Sequence, residues 1–181
     1  MKTKNILWFL GIILGIFFLG VSQDRAQAKP EGKGPIITHG FAVEKGIYGY
    51  IWKIYLEGED PDGQMLRIAS VVNQPGYGHY PTDWIYLKPG FQKHFKGYIQ
   101  WSTFSSKGIA LKEGDQIILR VSVIDKLGNE SQEVIFPFTF ISGVEEQSKP
   151  PAPFDQGDNP RLGFISIDLK SPGTGRIILT F

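Results

Sequence analysis

Residues 111–140, read as LKEGDQIILRVSVIDKLGNESQEVIFPFTF, constrain the fold more than any other stretch of the chain. Ile117, Leu119, Val121 and Val123 alternate with Ile118, Arg120, Ser122 and Ile124. A period of two sends successive side chains to opposite faces of a strand, so the uniformly apolar set faces a core. Lys126 to Glu130 supplies a turn, with Gly128 and Asn129 tolerating the positive φ that tight reversals need. Val134, Phe136, Phe138 and Phe140 then share one face of a second strand. Pro137 on its other face cannot donate a ladder hydrogen bond, which predicts an edge strand or a bulge there.

Ahead of the first strand stands a polar corner, Leu111 to Asp115, bent at Gly114. The corner, the alternating Val121 and Val123, and the turn residues Asp125, Gly128 and Asn129 together resemble the last two strands of bacterial immunoglobulin-like, PKD-like or cadherin-like domains. The resemblance covers about a fifth of the chain and implies a β-sandwich.

The N-terminus carries a separate signal. Lys2 and Lys4 precede an apolar run over 6–21, and Ala26-Gln27-Ala28 follows a short polar stretch. This is the order of a secretory signal peptide over 1–28, cleaved after Ala28. The run is shorter than the ~20 apolar residues of a spanning helix, so membrane contact is expected only through an uncleaved leader. Removing it takes Lys2, Lys4, Arg25 and Asp24. The 19 basic residues less three and the 18 acidic residues less one leave a net charge of −1. That balance argues against general binding to nucleic acid or anionic membranes. The chain has no cysteine, so an exported domain must be held by its core rather than by disulfides.

After a flexible lead at 29–34, strands are predicted over 36–43, 48–57, 65–73, 84–87, 95–104, 116–125 and 132–141. Turn signals such as Asp60-Pro61-Asp62-Gly63 and Lys88-Pro89-Gly90 separate them. About seven short strands at this spacing predict an all-β, antiparallel, immunoglobulin-like sandwich over 35–143. In residues 65–73 the alternation places Leu66, Ile68 and Val72 on one side. Residues 144–160, rich in proline, glycine and acids, read as a linker without a core of its own. Residues 161–181 read as a C-terminal β-hairpin, with strands over 164–169 and 176–181 around Ser171-Pro172-Gly173-Thr174-Gly175. A lone hairpin is marginal in water, so this one must pack on the sandwich, extend a sheet or pair with another chain.

Two places could hold a ligand. In an immunoglobulin-like sandwich two of the predicted turns share one pole, which gathers Glu59, Asp60, Asp62, Asp125 and Asn129. Clustered carboxylates and carbonyls are what calcium requires, although Asp-Pro-Asp-Gly and Asp-x-x-Gly-Asn also serve turn geometry alone. The second place is the loop over 76–84, where Tyr77, Tyr80 and Trp84 could stack a sugar or grip a protein, or else fold back to cap the core. His39, His79 and His94 sit on separate segments, and no nucleophile–base spacing or metal motif accompanies them. The sequence therefore predicts no enzyme and no obligatory cofactor. It predicts an exported interaction or structural module of the periplasm, cell surface or exterior, whose partner is a protein or a glycan. A carbohydrate-binding module is the first alternative and a small hydrolase the second.

Overall fold

A computed structural model describes residues 32–104, 111–143 and 149–170. The expected leader, the start of the lead and the predicted strand 176–181 lie outside those residues. The described chain forms ten strands: β1 (Ile36–Ala42), β2 (Lys45–Gly46), β3 (Ile51–Glu59), β4 (Met65–Gln74), β5 (Gly78–His79), β6 (Asp83–Tyr86), β7 (His94–Ser102), β8 (Gln116–Asp125), β9 (Val134–Phe140) and β10 (Arg161–Ile165). One sheet has the order β1-β3-β7-β10. The other runs β2-β9-β8-β4-β5, with β6 also paired to β4. The architecture is an immunoglobulin-like sandwich, and each of the seven predicted strands appears within a few residues of its expected bounds.

The alternation in β8 and β9 has the consequence expected of it. Ile117, Leu119, Val121, Val123 and Phe138 are fully buried, and Phe136 and Phe140 nearly so. β8 lies inside its sheet between β4 and β9. From the facing sheet come Trp52, Ile54, Leu56, Phe95, Ile99 and Trp101, all buried. Trp52 packs its ring 4.7 Å from Phe138 and 6.1 Å from Trp101. Its indole N–H donates to the Val43 carbonyl at 2.8 Å, which satisfies the one polar atom it takes into the core.

One face assignment needs correction. Met65, not Leu66, is buried with Ile68 and Val72, because the register against β8 shifts between Met65 and Arg67. A bulge moves every residue before it to the opposite face, and nothing in the local alternation announces it.

The chain changes sheets between β1 and β2. β1 is antiparallel to β3, whereas β2 runs parallel to β9 with Lys45 opposite Thr139. Gly46 permits that crossing, since a Cβ there would lie 2.8 Å from the Phe138 ring.

The proline-rich stretch is not an unattached linker. Phe154 is 2% exposed, and its ring stands 5.5 Å from Tyr55 on the outer face of the first sheet. Asn159 donates from its side chain to the Phe154 carbonyl at 2.9 Å, which closes this strap on itself. The composition over 144–160 hides one aromatic anchor, and the Tyr98 N–H adds a second hold by donating to the Pro160 carbonyl at 3.0 Å. The strap leads into β10, which extends the sheet by pairing parallel to β7. Ile165, Ile167 and Leu169 continue into the core.

Candidate functional site

The acidic pole assembles as a pair of turns. The Lys126 N–H donates to the Gln64 carbonyl at 2.9 Å, so the two loops do meet. Their acids are occupied with backbone. Asp60, 1% exposed, accepts the N–H groups of Asp62 and Gln64, each at 2.9 Å. Asp125, 3% exposed, accepts the backbone and side-chain N–H of Asn129, each at 2.8 Å. Asp62 accepts the Lys33 N–H at 3.0 Å. Glu59 is exposed at the end of β3. Carboxylates used in this way stabilise the reversals by satisfying amides the turns leave unpaired. Among the described residues no three acidic or histidine side chains converge as metal ligands.

The aromatic loop divides. Tyr80 is buried, donating its hydroxyl to Gln74 Oε1 and accepting the Lys170 N–H at 2.8 Å. Gln74 completes the link by donating from Nε2 to the Lys170 carbonyl at 2.7 Å. Burial pushes the Tyr80 phenol up to about 12. Tyr77 packs on it with ring centroids 4.8 Å apart. Tyr80 is thus a fastening for the C-terminal segment rather than a contact surface. Trp84 does face outward, 39% exposed beside the more exposed Tyr86, with the Arg67 guanidinium 3.8 Å above its ring.

Two features escape the sequence pattern. On the outer face of the first sheet Glu57 joins two of the three histidines, with Oε2 3.0 Å from His39 Nδ1 and Oε1 3.2 Å from His94 Nε2. The contact depends on the cross-strand register of β1, β3 and β7, which no local pattern encodes. The second is a groove of about 660 Å³ where β1 leaves its sheet beside β9. Phe41, Val43, Val134, Ile135 and Pro137 line it together with the charged Glu44 and Lys45, and Lys149 and Pro151 of the strap also border it. A smaller recess of about 160 Å³ adjoins it, walled by Phe41, Tyr50, Lys53, Tyr55 and Pro150. Burial pushes the Tyr55 phenol up, and Tyr98 and Tyr50 add to the effect.

The outer edge of β9 is chemically unusual. The Thr139 N–H points outward to the Glu44 carbonyl at 2.8 Å, while the Phe140 N–H points inward to Asp115 at 2.9 Å. Pro137, two residues before Thr139, faces the same outer side and has no N–H to offer.

No family model matches the sequence, and no curated protein matches it. Among solved structures the chain is similar to the PKD domain of an M14-like peptidase from a Thermoplasmatales archaeon. The two are 17% identical with a TM-score of 0.43, over 61% of this chain and 99% of that one. The class is that of immunoglobulin-like sandwiches, with the weak PKD-like resemblance already carried by the hairpin residues. The assignment of the fold rests on the two sheets themselves.

Proposed function

We propose that this protein is an exported, non-catalytic interaction module that meets a protein partner along the edge between β1 and β9. The observation that carries the reading is the groove there, which sets Phe41, Val43, Ile135 and Pro137 beside the charged Glu44, Lys45 and Lys149. Export is supported by the leader-like order of residues 1–28. Among the described residues no helix is long and apolar enough to cross a membrane. The test is affinity capture from the source organism's envelope fraction with the full chain, a Phe41→Ala/Ile135→Ala variant and a Trp84→Ala variant. Retention of one protein by wild type and Trp84→Ala, and its loss with the groove variant, is the expected result. Equal capture by all three would sink the assignment of the edge.

A glycan reading keeps one specific support, the outward pair Trp84 and Tyr86 on β6, whose faces suit sugar stacking. It predicts glycan-array binding that Trp84→Ala abolishes. Tyr80 takes no part in it, being held inside.

A further inference from the structure

We infer that the outward strip of β6 binds a polysaccharide of uronic acids, stacking a sugar ring on Tyr86 and taking its carboxylate on Arg67. This deepens the glycan reading and rests on it. Trp84, Tyr86 and Lys88 alternate with the buried Ile85 and Leu87, so all three share the outer face of the second sheet. Tyr86 is 62% exposed and stands opposite Arg67 of β4. Side chains directly opposite one another lie about 5 Å apart at Cβ, close enough for one sugar ring to touch both. The Arg67 guanidinium lies flat against Trp84, 3.8 Å from the ring centre. A guanidinium stacked in this way keeps its N–H fork in its own plane, where a carboxylate can meet it edge on. Trp84 is therefore a positioning residue, with one face of its ring taken by Arg67. Tyr86 supplies the open ring for the sugar.

The charge on Arg67 is unspent. Among the described residues it makes no ion pair, and its Nε is buried without a hydrogen-bond partner. Burial of Nε leaves the cation under-solvated, and a carboxylate on its terminal nitrogens compensates that through paired N–H···O bonds. The nearby acids are engaged elsewhere. Glu130 accepts the Ser122 hydroxyl, and Glu133 pairs with Arg120 at 3.3 Å. Asp83 accepts the Ser166 N–H on the other side of β6. Lys88 adds a second cation with no ion pair among the described residues. A uronic acid holds an apolar C–H face and a carboxylate on one rigid ring, which matches Tyr86 and Arg67 side by side. An acidic peptide carries its carboxylate on a flexible stem with no such face attached, and must lose that freedom on binding.

The experiment is a calorimetric titration of the full chain with oligomers of galacturonate, glucuronate and mannuronate. Each is used as the free acid and as its methyl ester, and polyglutamate serves as an anion without a sugar. At least one free acid is expected to bind with a Kd below about 1 mM, and its ester at least tenfold more weakly. Tyr86→Ala is expected to abolish binding of both forms. Arg67→Gln is expected to bring the acid down to the level of the ester, with an unchanged melting profile verifying the fold. The comparison of acid with ester needs wild type alone, so it decides the matter even if a variant fails to fold. Equal binding of acid and ester overturns the inference and leaves the glycan reading standing. So does a preference for the acid that survives in folded Arg67→Gln. No binding of any sugar to folded protein ends both. Polyglutamate binding as tightly as the best uronate overturns the inference in favour of an acidic protein partner.

Discussion

The two lateral edges of this sandwich face one problem, a row of unpaired backbone groups, and meet it by different means. At the β6/β10 edge the chain supplies its own cover. β10 adds a parallel strand to β7, and Gly163 comes so close to Ile85 that a Cβ there would lie 2.3 Å from a methyl group. Asp83 accepts the Ser166 N–H at 2.7 Å, and Trp101 donates its indole N–H to the Ile167 carbonyl at 2.9 Å. At the β1/β9 edge the only added strand among the described residues is the two-residue β2, and Pro137 and the groove take up the rest. One edge is closed by packing and hydrogen bonds; the other is kept open and stripped of a donor. Closure contributes stability, and openness leaves surface for another molecule.

If that division is right, substitutions at the closed edge cost far more than those at the open one. Trp101→Ala removes a large ring that is 1% exposed, along with the donor holding Ile167, and should cost about 3–5 kcal/mol in chemical denaturation. Phe41→Ala should cost less than about 1 kcal/mol, as expected of a side chain outside the core. Comparable losses would end the distinction between the edges.

A finer version uses glycines. A Cβ on Gly97 would stand 2.3 Å from the Pro160 carbonyl oxygen, a backbone atom that cannot turn aside. Gly97→Ala should therefore cost about 1–3 kcal/mol by forcing the strap off β7. A Cβ on Gly40 would meet the Phe136 ring edge at 3.0 Å and Val134 at 3.2 Å, side-chain atoms rather than backbone. Gly40→Ala should cost less than Gly97→Ala by the same measurement.

The open edge is partly legible in the amino-acid sequence and the closed edge is not. Pro137 announces an edge strand because proline's missing donor is a property of one residue. The burial of Phe138 and Leu119 follows from local alternation. The seating of Phe154 and the parallel pairing of β10 with β7 join residues more than sixty positions apart, and the local pattern is silent about them. Tyr80 reads as a loop aromatic because its partners, Gln74 and Lys170, lie on separate segments. The acidic pole misleads in the opposite direction. Its residues do come together, but Asp60 and Asp125 serve the amides of their own turns.

The Tyr80 fastening gives the closed edge a pH signature. Its phenol is raised from 10.0 to about 12 in the folded chain, first by burial. A folded value above the unfolded one means the contribution is intact below about pH 10 and is lost as pH rises through about 12. The difference corresponds to a stability loss on the order of 2 kcal/mol across that window. Urea midpoints between about pH 9 and 12 should fall in wild type and fall less in Tyr80→Phe. Parallel curves would mean that Tyr80 does not hold the tail.

The smallest expected change in stability tests the open edge. Pro137→Val gives β9 back an outward N–H, and loss of proline's restriction on the unfolded chain should cost less than about 1 kcal/mol. The restored donor sits between Ile135 and Thr139 on an edge that then offers a regular ladder to any passing strand. Light scattering on the eluting protein should show a mass that rises with concentration in Pro137→Val and stays constant in wild type. An unchanged mass would place the protection elsewhere, in β2 and the Lys149–Pro151 rim. A rise in mass would show that this one residue shields the edge.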